Sequence, residues 1–217
     1  MLKVFINGSS GKVGTSLSRI VNQKSDLYVN NKDISSADVV IDFSHPDSTT
    51  QIIQQCSSNK IPLIIGTTGL KKNILNEIKK ASELIPIVLA SNMSIGINQL
   101  KINLEKYLQS IKSETTCVIE ETHNVKKIDK PSGTAIEINN LIKELDKKNN
   151  ISSIETVSIR KGDIPGIHKI SFQNKENTCV FKHRTLSRDV YANGALHCVE
   201  KISNKSPGLY NFEDVIN

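Results

Sequence analysis

Between Glu120 and Ala135 the chain reads E-E-T-H-N-V-K-K-I-D-K-P-S-G-T-A, gathering acids, an imidazole and lysines ahead of a small-residue turn. His123 carries a group that gives or takes a proton near neutral pH. Lys127 adds an ammonium. Pro131-Ser132-Gly133-Thr134 leads into Ala135, Ile138, Ile142 and Leu145, which recur at helical spacing. A helix therefore starts near Gly133, with Ser132 or Thr134 as its N-cap. Its leading N–H groups and positive dipole end form a seat for a carboxylate. A proton carrier, an ammonium and an anion seat in one loop suit an active site for an acidic small molecule. The same residues also fit a plainer description, a solvated connection into a capped helix.

The element that must deliver this loop is Thr115–Ile119, β-branched and apolar, which reads as a buried strand. A second chemical stretch lies at the N-terminus. Leu2–Asn7 reads as a strand that runs into Gly8-Ser9-Ser10-Gly11-Lys12-Val13-Gly14, and Val13, Leu17, Ile20 and Val21 then follow at helical spacing. Strand, glycine loop and helix are the context of a dinucleotide site. Gly8 serves the turn, Gly11 the approach of a pyrophosphate, and Gly14 close helix–strand packing. After the expected strand Leu27–Val29, Asp33 is placed to take an adenosine ribose and Lys32 a 2′-phosphate, or both are ordinary loop residues.

Strands are expected at Asp38–Phe43, Pro62–Ile65 and Ile85–Ala90, each followed by a polar or glycine-rich loop and an apolar helix face. Strands apolar on both faces and alternating with helices predict a doubly wound parallel sheet, with ligand loops at its carboxyl edge. From Ile97 the pattern changes to a long helix, the active loop, a helix over 133–146, and β-like runs at Ile154–Ile159, Ile167–Phe172 and Thr178–Thr185. Consecutive strands predict a mixed open sheet whose uncovered side invites oligomerisation. The expected organisation is thus α/β: a Rossmann-like domain over residues 1–95 and an α+β substrate-binding and oligomerisation domain over 96–190. Residues 191–217 return to the first domain.

The 217 residues are 37% hydrophobic and 23% charged, ordinary for a soluble globular protein, and suffice for one large or two modest domains. Aromatic content of 4% without Trp disfavours a nucleic-acid module built on stacking. The net charge of +6 attracts anionic ligands, though most of these lysines read as solvated surface. Cys56, Cys117, Cys179 and Cys198 show no metal or redox spacing and read as reduced residues of a cytoplasmic protein. No signal segment and no run of membrane length is expected, nor any metal ligand set.

Taken together, Gly8–Gly14, D-F-S-H-P at 42–46, G-T-T-G at 66–69, S-N-M-S-I-G-I-N at 91–98 and K-I-D-K-P-S-G-T-A at 127–135 resemble the dihydrodipicolinate reductase family over nearly the whole chain. R-K-G-D-I-P-G at 160–166 and Y-A-N-G-A at 191–195 extend the likeness. The resemblance implies reduction of 4-hydroxy-tetrahydrodipicolinate in lysine biosynthesis by NADH, NADPH or both, in a cytoplasmic homotetramer. It implies catalytic His123 and Lys127, and substrate contacts from Asn124, Ser132, Gly133, Thr134 and Thr68. For the cofactor it implies Gly8, Ser10, Gly11, Lys12, Val13, Asp33, Phe43, Gly66, Thr67, Thr68, Ser91, Asn92 and Met93. No nucleic acid or membrane partner is implied. Three departures stand out: Asn124 replaces a second histidine, Lys130 replaces a small residue, and the segment before Asp38 is short. Two alternatives compete with this function: another nicotinamide enzyme of the fold, such as an aspartate dehydrogenase-like protein, and an NAD(P)-binding sensor that has lost its chemistry.

Overall fold

In the computed structural model, which describes residues 1–216, the chain opens β1 (Leu2–Asn7), α1 (Lys12–Val21), β2 (Leu27–Val29), β3 (Val39–Asp42), α2 (Pro46–Asn59) and β4 (Leu63–Ile65). It continues α3 (Lys72–Ala81), β5 (Pro86–Leu89), α4 (Ile95–Ser110), β6 (Thr115–His123), α5 (Gly133–Leu145) and β7 (Ile151–Arg160). The last elements are β8 (Gly166–Gln173), β9 (Thr178–Thr185), α6 (Asp189–Ile202), β10 (Gly208–Tyr210) and α7 (Glu213–Ile216). Met1–Ser94 and the chain from Arg188 onward make one compact unit; Ile95–Ser187 make the other.

The first unit holds a six-stranded parallel sheet in the order β10-β5-β4-β3-β1-β2. Alternation along each strand divides its apolar residues between two layers. Val4, Ile6, Val39, Ile41, Ile64 and Val88 pack against Leu17 and Val21 of α1 and the buried face of α6. Val40, Leu63, Ile65 and Ile87 pack against Ile52, Ile53 and Cys56 of α2 and Ile74 and Ile78 of α3. Two features add detail to the sequence reading. Only a single 3-10 turn, Ile34–Ser36, separates β2 from β3, and the tail contributes β10, paired in parallel with β5, followed by α7.

Strand order reverses about β1, so the crevice between the ends of β1 and β3 is the ligand position of such a sheet. A buried carboxylate fixes it. Asp42 accepts from Asn7 Nδ2 at 2.8 Å, Ser44 Oγ at 2.5 Å and Thr49 Oγ1 at 2.6 Å, tying β1, the loop after β3 and α2 together. With three donors, the buried acid is satisfied rather than costly.

In the second unit the four strands run β7-β6-β8-β9, with β6 parallel to β7 and antiparallel to β8. Cys117, Ile119, Ile170 and Phe172 form a covered face with Leu104 of α4 and Ala135, Ile138 and Ile142 of α5. Residues 115, 117, 119, 121 and 123 alternate inward along β6. That period carries polar Glu121 and His123 onto the end of an otherwise apolar face.

Candidate active site

In the second unit, β6 ends at His123 and α5 begins at Gly133, so the intervening loop is held at both ends. Ser132 is the N-cap: its Oγ accepts the Ala135 N–H at 3.2 Å and shares a 3.2 Å hydrogen bond with His168 Nε2. This decides between the two candidate caps. Ser132 and Thr134 are buried, and the start of α5 is aimed at the loop they terminate. Lys127 Nζ lies 2.9 Å from Asp129, its side chain 25% exposed, so the ammonium remains within reach of a ligand. Asn124 Oδ1 accepts the Lys126 N–H at 3.1 Å and shapes the turn.

Cross-strand pairing and the alternation of β6 assemble three further groups around His123. Glu121, fully buried, bonds His123 Nδ1. Arg160, opposite His123 in the β6–β7 register, donates to Glu121 Oε2 at 3.0 Å and lies 2.8 Å from Oε1. His168 stands opposite Glu121 in the β6–β8 register, its ring 5.2 Å from that of His123. The sequence alone singles out neither His168 nor Glu121 as a site residue. The i, i+2 spacing of Glu121 and His123 on one strand face was the available signal.

The electrostatics follow from burial and partners. Desolvation raises the Glu121 carboxyl, but hydrogen bonds from Arg160, Ser158 and His123 outweigh it and hold it at about 2. Burial lowers His123 below the ordinary 6.5; Glu121 partly offsets this, while Lys127 and Arg160 add to it. Burial takes His168 to about 3, so it is neutral at physiological pH. His123 therefore has Nδ1 engaged by a carboxylate and Nε2 left to exchange a proton. Among the described residues no group of His, Cys, Asp or Glu is arranged to hold a metal.

The first unit contains a cavity of about 300 Å³, lined by Lys12, Val13, Phe43, Gly66, Thr67, Thr68, Ser91, Asn92 and Met93, with Ser44 and Tyr191 in addition. Gly8, Ser10 and Gly11 form the loop before α1, where the Gly11 N–H donates to Gly8 at 2.9 Å. No side chain caps α1. Gly8 has a positive φ of 83°, and a Cβ there would stand 2.3 Å from the Phe43 carbonyl oxygen. A Cβ on Gly14 would stand 2.0 Å from the Gly8 carbonyl oxygen, so the loop lies directly on the first helical turn. An uncapped helix start under a glycine loop fits a pyrophosphate. Thr67 turns inward, accepting from Ser44 N–H at 2.9 Å, and Thr68 is exposed. Asp33 lines no part of this cavity; its carboxylate accepts from Ser35 N–H at 2.9 Å.

Against known proteins, residues 30–93 match the family model described as dihydrodipicolinate reductase, N-terminus, and residues 96–216 the one described as dihydrodipicolinate reductase, C-terminus. The chain belongs to the dihydrodipicolinate reductase family. Membership makes it an oxidoreductase. Among curated relatives, the 4-hydroxy-tetrahydrodipicolinate reductase of Clostridium novyi is 33% identical over 248 residues, covering 100% of this chain and 98% of the relative. That of Bdellovibrio bacteriovorus is 34% identical over 226 residues, covering 99% and 96%. Among solved structures, dipicolinate-bound dihydrodipicolinate reductase from Paenisporosarcina sp. TG-14 shares the fold with TM-score 0.76, 19% identity and 97% coverage of both chains. A probable dehydrogenase from Thermotoga maritima shares it with TM-score 0.66 and 10% identity, covering 98% of this chain and 92% of that one.

Proposed function

We propose that this chain reduces 4-hydroxy-tetrahydrodipicolinate to tetrahydrodipicolinate, the activity named for its relatives and a step of lysine biosynthesis through diaminopimelate. The observation that carries the reading is the loop from His123 to Thr134, which joins a carboxylate-bound imidazole, an ammonium and a helix start. A dicarboxylate ring needs partners for two anionic groups. Lys127 and the start of α5 at Ser132, Gly133 and Thr134 supply them, with Asn124 and Thr68 as further contacts. Loss of the 4-hydroxyl as water leaves the conjugated cyclic imine, to which a bound nicotinamide dinucleotide would supply the hydride. His123 delivers the proton that completes the reduction, from Nε2, and Glu121 retains Nδ1. Because surrounding cations and burial depress the imidazolium, arrival of a dianionic substrate favours the protonated donor.

The residues of the first unit fit the dinucleotide. Gly8, Ser10, Gly11, Lys12 and Val13 take its pyrophosphate, while Phe43, Gly66, Thr67, Ser91, Asn92 and Met93 line its further course. Both NADH and NADPH serve. At the carboxyl end of β2, Asp33 is tied to Ser35 and Asn31 accepts the Ile6 N–H at 2.9 Å, so no carboxylate is aimed at a ribose diol. Among the described residues, the Lys32 ammonium makes no hydrogen bond or ion pair, and it suits a 2′-phosphate. The enzyme acts in the cytoplasm as a homotetramer through the second unit's sheet. Exposed Val180 and Ile159 on its outer strands support self-association.

The test is a coupled assay in which a synthase forms the substrate from pyruvate and aspartate semialdehyde. Nicotinamide absorbance is followed with NADH and with NADPH. Substrate-dependent oxidation with both is expected; nucleotide binding without oxidation would favour the sensor alternative.

A further inference from the structure

Arg160 ends β7 directly across from His123, and its side chain is 8% exposed. One guanidinium holds two neighbours. Nη1 donates to Glu121 Oε2 at 3.0 Å, and Nη2 stands 2.8 Å from Oε1 as an ion pair. From the same head, Nε donates to the Lys127 carbonyl at 3.2 Å and Nη2 to the Asp129 carbonyl. Strand end and loop are thereby joined through a single planar fork that a lysine cannot reproduce.

We propose that Arg160 and Glu121 are positioning residues that hold His123 and the Lys127 loop as one rigid unit, fixing the imidazole tautomer and the place of the ammonium together. The inference rests on the reductase reading, since His123 is its proton donor and Lys127 its anion-binding group. Glu121 is fully buried, and such a carboxylate stays ionised only with a compensating partner. Arg160 is that partner. With the carboxylate ionised, Nδ1–H is donated to it and the transferable proton resides on Nε2. The groups facing His123 are Glu121 on its own strand, Arg160 on β7, His168 on β8 and Lys127 in the loop; His183 on β9 stands opposite His168. Glu121 favours the imidazolium, and the two cations oppose it.

The experiment combines NMR titration of the unliganded histidine rings, with His123→Gln to assign the resonance, and steady-state kinetics. Glu121→Gln removes the anion, so the His123 midpoint falls and the alkaline limb of kcat/KM moves down with it. Arg160→Met removes a cation, and the midpoint rises. Arg160→Lys keeps the charge and loses the fork: the midpoint stays near wild type, while kcat/KM drops on the order of 100-fold through misplacement of the loop. Should a single variant unfold, Glu121→Gln with Arg160→Met restores a neutral pair of similar volume, the exchange that buried ion pairs tolerate. That folded double variant is expected to lose at least tenfold in kcat/KM. Folded variants whose His123 midpoint and kcat/KM stay within twofold of wild type would overturn the inference. Failure of the reductase reading is distinguishable, because wild type would then show no turnover while the ring titration needs no substrate.

Discussion

Replacing Ser132 with alanine removes two contacts made by one buried hydroxyl. The first is the N-cap of α5, an Ala135 N–H bond of 3.2 Å, whose loss costs about 1 kcal/mol. The second is the 3.2 Å bond to His168 Nε2; orphaning that buried nitrogen costs about 1–3 kcal/mol. Together Ser132→Ala should destabilise the second unit by about 2–4 kcal/mol, on the order of a 30- to 1000-fold fall in its folding equilibrium. Urea titration followed by circular dichroism measures this. Two companion variants separate the contributions. Glycine caps nearly as well as serine, so Ser132→Gly should lose mainly the His168 contact and be less harmful than alanine. In a His168→Leu background no nitrogen remains to be orphaned, and Ser132→Ala should cost only about 1 kcal/mol. A loss below about 0.5 kcal/mol, or an equal loss in both backgrounds, would refute the double role assigned to this hydroxyl.

Further outcomes follow from the same geometry. His168, at about 3 when folded against an ordinary 6.5, stays neutral while the unfolded chain protonates, so stability should fall with pH from 6.5 downward by about 1 kcal/mol per unit; in His168→Gln the slope between pH 6.5 and 4.5 should flatten by roughly one proton. Glu121, at about 2 against 4.5, adds a stabilisation that is complete above pH 4.5 and lost as pH falls toward 2. Lys127→Ala breaks a largely solvated pair with Asp129, so denaturant stability should change by less than about 1 kcal/mol while kcat/KM falls on the order of 100-fold; parallel losses would make the lysine structural. Gly194→Ala would place a Cβ 1.7 Å from the Met93 carbonyl oxygen in the packing of α6 against that loop, so fluorescence titration with NADH should show weakened binding, and unchanged affinity would contradict the placement of Met93 at the nucleotide.

Much of the frame could be read from local signals. The glycine loop declared itself because a strand precedes it and apolar residues follow at helical spacing, and the Ser132 turn because Ala135, Ile138 and Ile142 repeat along α5. What escaped depends on pairing between distant strands. Arg160 meets Glu121 only because β7 lies parallel to β6 in the observed register, and His168 only because β8 is antiparallel to it. Neither register is written in a neighbouring residue. Asp42 looked like the end of a strand, and its role emerged once Asn7, Ser44 and Thr49 converged on it. β10 spans only Gly208–Tyr210, too short for periodicity to mark it; its partner β5 defines it.

The central claim is that hydride passes to the conjugated ring formed when 4-hydroxy-tetrahydrodipicolinate loses water, with His123 supplying the proton. Deuterium at the transferring position of the nicotinamide, followed by mass spectrometry of the product, tests it most directly. The account predicts one deuterium per tetrahydrodipicolinate formed by wild type, with formation of that product lost by orders of magnitude in His123→Ala. Oxidation of the nucleotide without deuterium in the product, or undiminished labelling by His123→Ala, would contradict it.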